Sequence, residues 1–314
     1  MVDFRYHLVS IIAIFLALAV GIVLGTTRLN GPVLDGLRVS IDGLKQDKRS
    51  LETEVQGLRA DVQASDKFAG AVGPGLVRGE LAGQRVLLVV TPETPKELAE
   101  QLTPLLVRAG AEVSGSLRVL PAFAAPGSRQ LIEDLVASAV PAGIELPQGE
   151  PVERAAVELA AALGRRSGDP GIDASEAQAV LSAFQEADLV QYTGANAAIQ
   201  QATVVVVLGA SPAGRPDSTR QAEQAVELSL AGAFDDATGG VVVAGPNGSN
   251  AAEGLVRLLR NDSGLAGRVS SVDNADRAIG LVAIVQALAE QLRGAVGQYG
   301  SGDGAAGPLP SPAS

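Results

Sequence analysis

The chain has 314 residues, and Lys plus Arg total 24 against 35 Asp plus Glu, for a net charge of −11. An acidic surface repels phosphate backbones, and no basic patch rises above the average, which points away from nucleic acid as a partner. Cysteine is absent, His7 is the sole histidine and Met1 the sole methionine, so disulfides, thiolate metal sites and Ser-His or Cys-His catalytic pairs have no material.

The first residues, MVDFRYHLVSIIAIFLALAVGIVLGTTRLN, contain a run from Leu8 to Thr27 without a formal charge. As a helix it is about 30 Å long, one hydrocarbon core. Ala17-Leu18-Ala19 has the small-x-small pattern of a signal cleavage site. The apolar run nevertheless continues through Val20, Ile22, Val23 and Leu24, and the amino-terminal flank is only weakly basic, with Arg5 against Asp3. The sequence predicts a retained single-pass anchor over 8–27 in the cell membrane, with residues 1–7 as a cytoplasmic tail. The bulk of the chain is expected outside the cytoplasm, because long domains translocate largely regardless of charge.

A strict heptad follows. Leu34, Ile41, Lys48, Val55 and Val62 occupy a positions, and Leu37, Leu44, Leu51 and Leu58 occupy d positions. β-Branched residues at a with Leu at d favour a parallel two-stranded coil. One polar a residue, Lys48, fixes register and partner number at a cost in stability. Its long stem can reach out toward Glu52 or Glu54. Glu54 and Arg59 attract across such a seam while Asp47 and Glu52 repel, so a homodimer and a coiled-coil heteromer both remain open. The expected interface is Leu37, Ile41, Leu44, Lys48, Leu51, Val55, Leu58 and Val62, on a coiled-coil stalk over 30–68. An amphipathic helix lying on its own globular domain is the alternative. Residues 69–83 (AGAVGPGLVRGELAG) are glycine-rich and read as a linker.

Short apolar runs then alternate with helical stretches. Strands are predicted at 85–90, 113–120, 189–193, 203–208, 241–244 and 269–272. Helices are predicted at 95–109, 128–139, 152–163, 175–186, 218–234, 250–260 and 275–293. Continuous apolar strands separated by helices mark a parallel sheet covered on both faces. The expected fold over 84–296 is a doubly wound, mostly parallel α/β domain of about five strands. Residues 297–314 (GQYGSGDGAAGPLPSPAS) lack apolar periodicity and read as a disordered tail.

In such sheets ligands bind beyond the carboxyl ends of the strands. The segments there are TPETP (91–95), GASPAGRPDST (209–219), GPNGSN (245–250) and DNAD (273–276). GPNGSN before a helix could turn backbone N–H groups toward an anion, which makes Arg215, Asn247, Ser249 and Asn250 a candidate ligand loop. Ordinary turns and Asn or Ser caps account for the same residues. There is no GxxxxGK[ST] and no GxSxG, and Asp235-Asp236 reads as a solvated pair near a helix end. The expectation is no catalytic residue, no cofactor and no metal ligand: the chain does not read as an enzyme.

The opening MVDFRYHLVSIIAIFLALAVGIVLG, the heptad stretch and the strand-loop VLLVVTPET resemble the actinobacterial MctB family, and the resemblance covers most of the chain. That family is labelled copper-transport outer-membrane protein. The resemblance therefore implies copper homeostasis or transport across the envelope, with an outer-membrane location by label. It also implies an envelope partner in cell separation and a part in controlling a peptidoglycan hydrolase. The residues limit how this works. Cu(I) prefers thiolate and thioether ligands, and copper sites favour imidazole as well. A membrane barrel needs many ten-residue alternating strands with aromatic girdles, whereas the strands here are short, uniformly apolar and interleaved with helices. The resulting expectation is a copper-homeostasis protein that is not itself a metal-binding channel. The alternative is a non-enzymatic coiled-coil scaffold for cell-separation partners.

Overall fold

A computed structural model describes residues 4–138, 140–141, 143–196, 198–212, 214 and 216–311, and their side chains other than those of 26–36 and 38. The chain divides into two units, Met1–Ser65 and Asp66–Ser314. Helix α1 (Phe4–Leu76) begins in the first and ends in the second.

In the first unit, Phe4–Gly25 is the one helix among the described residues long and apolar enough to cross a membrane. Its side chains are exposed to Val23 and beyond, as lipid-facing residues would be. Further along α1 the apolar residues of the heptad are also exposed, Leu44 at 68% and Leu51 at 60%. Lys48 lies 3.5 Å from Glu52 and Lys45 lies 3.6 Å from Asp42, the i,i+4 and i,i+3 pairs that support a solvated helix.

The second unit opens with the last turns of α1. Residues 69–76, read from their glycines as linker, are helical here. Gly73 explains part of this, because a Cβ there would lie 2.6 Å from Val282, so the missing side chain lets two backbones approach. Asp66 pairs with Arg277 at 3.3 Å on the same side. Packing outweighs the weak helix preference of glycine. The chain then turns at Gly79 and Gly83, both at positive φ, into β1 (Arg85–Val90).

In order there follow α2 (Lys96–Arg108), β2 (Glu112–Val119), α3 (Pro121–Ala124), a 3₁₀ turn (Pro126–Ser128), α4 (Arg129–Ser138), α5 (Pro151–Leu163), α6 (Ala174–Glu186) and β3 (Val190–Gly194). The second half holds β4 (Val204–Leu208), α7 (Asp217–Ala237), β5 (Val241–Ala244), α8 (Leu255–Asn261), β6 (Ser270–Val272), α9 (Ala278–Leu292) and β7 (Gln298–Tyr299). These strands form one seven-stranded sheet in the order β3-β2-β1-β4-β5-β6-β7. Only β2 and β3 pair antiparallel.

Alternate strand residues enter two separate apolar layers. Leu87, Val89, Val205, Val207 and Val243 pack with α4, α5, α6 and α7. Val86, Leu88, Val204, Val206 and Val242 pack with α2, α9 and, at Val77 and Leu81, the turn after α1. Each such side chain contributes roughly 1.5–3 kcal/mol by leaving water.

Two expected boundaries shift. Helix α8 starts at Leu255 rather than near Asn250, because the Ser249 carbonyl accepts the Val256 N–H and holds 250–254 in turns. The expected disordered tail differs more. Gln298–Tyr299 pairs parallel with β6, Tyr299 is buried, and Leu309 packs against the second apolar layer. The reason is polar. Arg260 and Asp273, both nearly inaccessible, form an ion pair at 2.8 Å. Arg260 also donates to the carbonyls of Tyr299 (2.8 Å) and Asp303 (3.0 Å), while Asp273 accepts the N–H groups of Ser301 (2.8 Å) and Gly302 (3.1 Å). Removing one partner leaves the other charge buried alone. Arg260→Leu is therefore expected to cost about 3–5 kcal/mol in chemical denaturation. It should also open 298–309 to rapid amide exchange, and full protection there in the variant would refute the clamp.

A second buried charge has no such company. Glu158 on α5 is fully buried, and neither carboxylate oxygen has a hydrogen-bond partner. Burial pushes its pKa from 4.5 up to about 7, opposed by Arg154, whose guanidinium is itself engaged with Glu133 at 2.6 Å. Between these two values the unfolded chain ionises Glu158 while the folded chain keeps its proton, so this group lowers stability as pH rises from about 4.5 to about 7. Glu158→Gln is expected to flatten that slope and to stabilise the protein by about 2–3 kcal/mol at pH 8. Identical denaturation profiles for the two proteins between pH 5 and pH 8 would contradict the assignment.

Candidate functional site

The strand order reverses between β1 and β4, which makes their carboxyl ends the place where a sheet of this kind opens a crevice. The TPETP loop caps the end of β4 there. The Thr91 N–H donates to the Leu208 carbonyl at the end of β4 (3.0 Å), and the Thr94 hydroxyl donates to the same oxygen (2.9 Å). The two threonine hydroxyls lie 3.2 Å apart and are buried. Glu93, at φ 62, makes the sharp turn that brings Thr94 back.

The GPNGSN loop beyond β5 is equally committed. Asn247 N–H donates to the Asp276 carboxylate (2.7 Å). The Asn250 amide donates to the Asp303 carbonyl (2.9 Å) and accepts from Arg260 (3.1 Å). Ser249 is fully buried with its hydroxyl unpartnered, packed against the bare Cα of Gly245. Asn247, Ser249 and Asn250 thus share one loop, with the Asn247 backbone and the Asn250 side chain bound to protein partners, Ser249 buried and the Asn247 residue exposed. Arg215 lies outside the described residues.

A polar cluster beside this loop has no counterpart among the residues singled out from sequence. Arg220, Glu223, Gln224 and Glu227 on α7 are all buried. Arg220 pairs with Asp217 at 2.7 Å and with Glu253, and Gln224 donates to the Glu253 carbonyl. Together with Ala210, Pro212 and Leu255 they enclose about 10 Å³, room for one water. Spacing of i, i+3, i+4 and i+7 is legible in the sequence, but it describes a solvated helix face equally well.

Asp235 and Asp236 separate. Asp236 is exposed and pairs with Arg268 at 2.7 Å, while Asp235 is mostly buried. Burial raises the Asp235 pKa, and Arg268 opposes the rise.

The heptad residues Leu37, Ile41, Leu44, Lys48, Leu51, Val55, Leu58 and Val62 lie on one helix, all with exposed side chains. The donor set for a soft metal is poor throughout. Cysteine is absent from the sequence, and among the described residues no group of three His, Asp or Glu side chains is gathered for a metal ion.

Residues 1–310 match the family model described as "Copper transport outer membrane protein, MctB". The chain is 28% identical over 329 residues to "Copper transporter MctB" of Mycobacterium tuberculosis strain H37Rv, covering 97% of this chain and 98% of that one. It is 28% identical over 331 residues, with the same shares, to "Copper transporter MctB" of Mycobacterium leprae strain TN. The relative in Mycobacterium bovis carries the same name at 28% identity over 329 residues.

Proposed function

The chain belongs to the MctB family, and from that premise we propose that it serves copper homeostasis or transport across the envelope as a membrane-anchored factor that does not itself ligate copper. The match over residues 1–310 carries the copper reading. The donor chemistry decides the mode. Without cysteine, and with Met1 and His7 as the only thioether and imidazole, the chain lacks the ligand set that Cu(I) selects. A lone apolar helix offers no polar stripe to line a path for ions. We read residues 1–7 as cytoplasmic and the second unit as extracytoplasmic. Apolar layers on both faces of the sheet support a doubly wound arrangement for that unit.

Copper titrated into the full chain in detergent micelles, as Cu(I) and as Cu(II), is expected to show no stoichiometric site. Cells lacking the chain should accumulate copper differently from cells in which it is restored. A tight one-to-one site would overturn the non-ligating mode, and unchanged copper content would overturn the copper role itself.

The exposed heptad supports assembly through α1. In a parallel pair of chains, Ile41 and Val55 at a and Leu44, Leu51 and Leu58 at d would bury their side chains against the same residues of the partner helix. The pair formed by Lys48 and Glu52 on one helix would keep the lysine charge at the rim of the seam. Leu44→Asp with Leu51→Asp is expected to reduce the full chain to monomers in sedimentation. Lys48→Leu should raise the melting temperature of the assembly. Unchanged sedimentation of the double variant counts against this interface.

A further inference from the structure

An open groove of about 760 Å³ lies on the second unit at the amino end of the sheet, and nothing above gives it a role. Its size falls within the range of ligand pockets. The end of α5 marks its place, since Gly164 bridges Ala202 just before β4. Val157, Ala160 and Ala161 of α5 and Ala233 and Ala237 of α7 make an apolar floor of small side chains. Two irregular segments, 143–147 and 169–172, form the walls. Gln201 ties the second wall to the floor, its amide reaching the carbonyls of Ala161 (3.1 Å) and Ile172 (3.4 Å).

The first wall is shaped like a strand edge. Ile144 and Leu146 are partly buried while Glu145 and Pro147 stand out, the alternation of an extended chain. Ile144 N–H donates to the Pro141 carbonyl, but among the described residues the N–H groups of Glu145 and Leu146, and of Gln148 and Gly149 in the bend that follows, meet no protein acceptor. A row of unspent backbone groups beside an apolar floor is a template for another chain. An acyl chain would satisfy the floor and leave these donors idle.

The charges select further. Of the carboxylates on the lining, Asp236 is held by Arg268 (2.7 Å) and Asp169 accepts the Gly171 N–H (2.9 Å), while Glu145 points out from the first wall. Arg166 donates to a backbone carbonyl, that of Asp235 (2.9 Å), and the Arg165 guanidinium has no ion-pair partner among the described residues. Arg166 also acts on the Asp235 carboxylate, so of these two adjacent cations Arg165 is the one that calls for an acid.

We propose that this groove docks an extended segment of a partner protein in which apolar and acidic residues alternate. Its backbone pairs with 145–146, its apolar side chains settle on the apolar floor, and an acidic side chain meets Arg165.

The test uses the full chain in detergent micelles against an array of ten-residue peptides alternating apolar and acidic residues. Lysine-for-acid and proline-interrupted counterparts share the array. Acidic peptides should bind, and their proline-interrupted forms should not. Arg165→Glu should weaken the acidic set about tenfold, the size of one charge-assisted hydrogen bond, and should gain binding to the lysine set. Ala161→Trp, which fills the floor, should abolish both at an unchanged melting temperature. If that variant melts early, the charge swap at half-buried Arg165 alone decides. Equal binding of acidic, lysine and proline-interrupted peptides would overturn the proposal, as would no binding at all. Displacement of bound peptide by a simple anionic detergent at submicellar concentration would point to an acyl ligand and overturn it likewise.

Discussion

Burial of the central sheet on both faces is the constraint on which the second unit rests. Val204, Val206 and Leu208 of β4 face one apolar layer, and Val205 and Val207 face the other, all fully buried. A strand in that position cannot spend a single residue on water, so the run TVVVVL is dictated rather than chosen. The same demand reaches the helices, because each layer must be closed along its whole length. One is closed by α5 and α7 with their neighbours. The other needs α2, α9 and the segment containing Val77 and Leu81, which is why the glycine-rich end of α1 packs closely enough for Gly73 to touch Val282.

Hydrophobic pattern therefore made the interior legible and left its edges dark. The central strands could be placed from their short continuous apolar runs, RVLLVV, VVVVL and VVVA, which fit strands covered on both faces. The heptad was equally plain, and so was the apolar span at Phe4–Gly25. What escaped was structure held by polar groups or by the absence of a side chain. The segment 298–309 has no apolar rhythm because Arg260 and Asp273 hold its backbone. Gly73 looked like a breaker because the sequence cannot show what a missing Cβ makes room for. On α7 the spacing of Arg220, Glu223, Gln224 and Glu227 was visible but not its direction, since a polar stripe reads alike facing water or facing a buried partner.

These inward-facing polar groups also bear on where this fold could act. At the carboxyl edge, Thr91 and Thr94 cap the end of β4, Asn247 and Asn250 bind other loops, and the α7 cluster surrounds a space for one water. Among the described residues most of these groups are spent on protein partners, although the Ser249 hydroxyl and the Asn274 amide oxygen are buried without one. Among the described residues, backbone N–H groups without a protein acceptor at 145–146 and 148–149, and a cation without an ion-pair partner at Arg165, lie at the amino edge. The heptad face of α1 offers the complementary resource, exposed apolar area in a regular row. Both are surfaces suited to chains rather than to small molecules.

The family match and the ligand chemistry then constrain each other. A copper ion crossing an envelope must exchange ligands at each step, and sulfur and imidazole make that exchange favourable for Cu(I). Carboxylates alone are harder donors, and the chain's acids are spread over salt bridges and helix surfaces rather than collected. In the proposed role the ion's own ligands belong to other molecules, and what this chain supplies is place: an apolar helix for the bilayer, a seam for assembly and a folded unit with a free strand edge. The two apolar-faced resources cannot substitute for each other. A heptad seam recognises a helix through side chains, whereas an unpaired extended edge recognises a backbone, so in the proposed role the two surfaces would call for partners of different kinds.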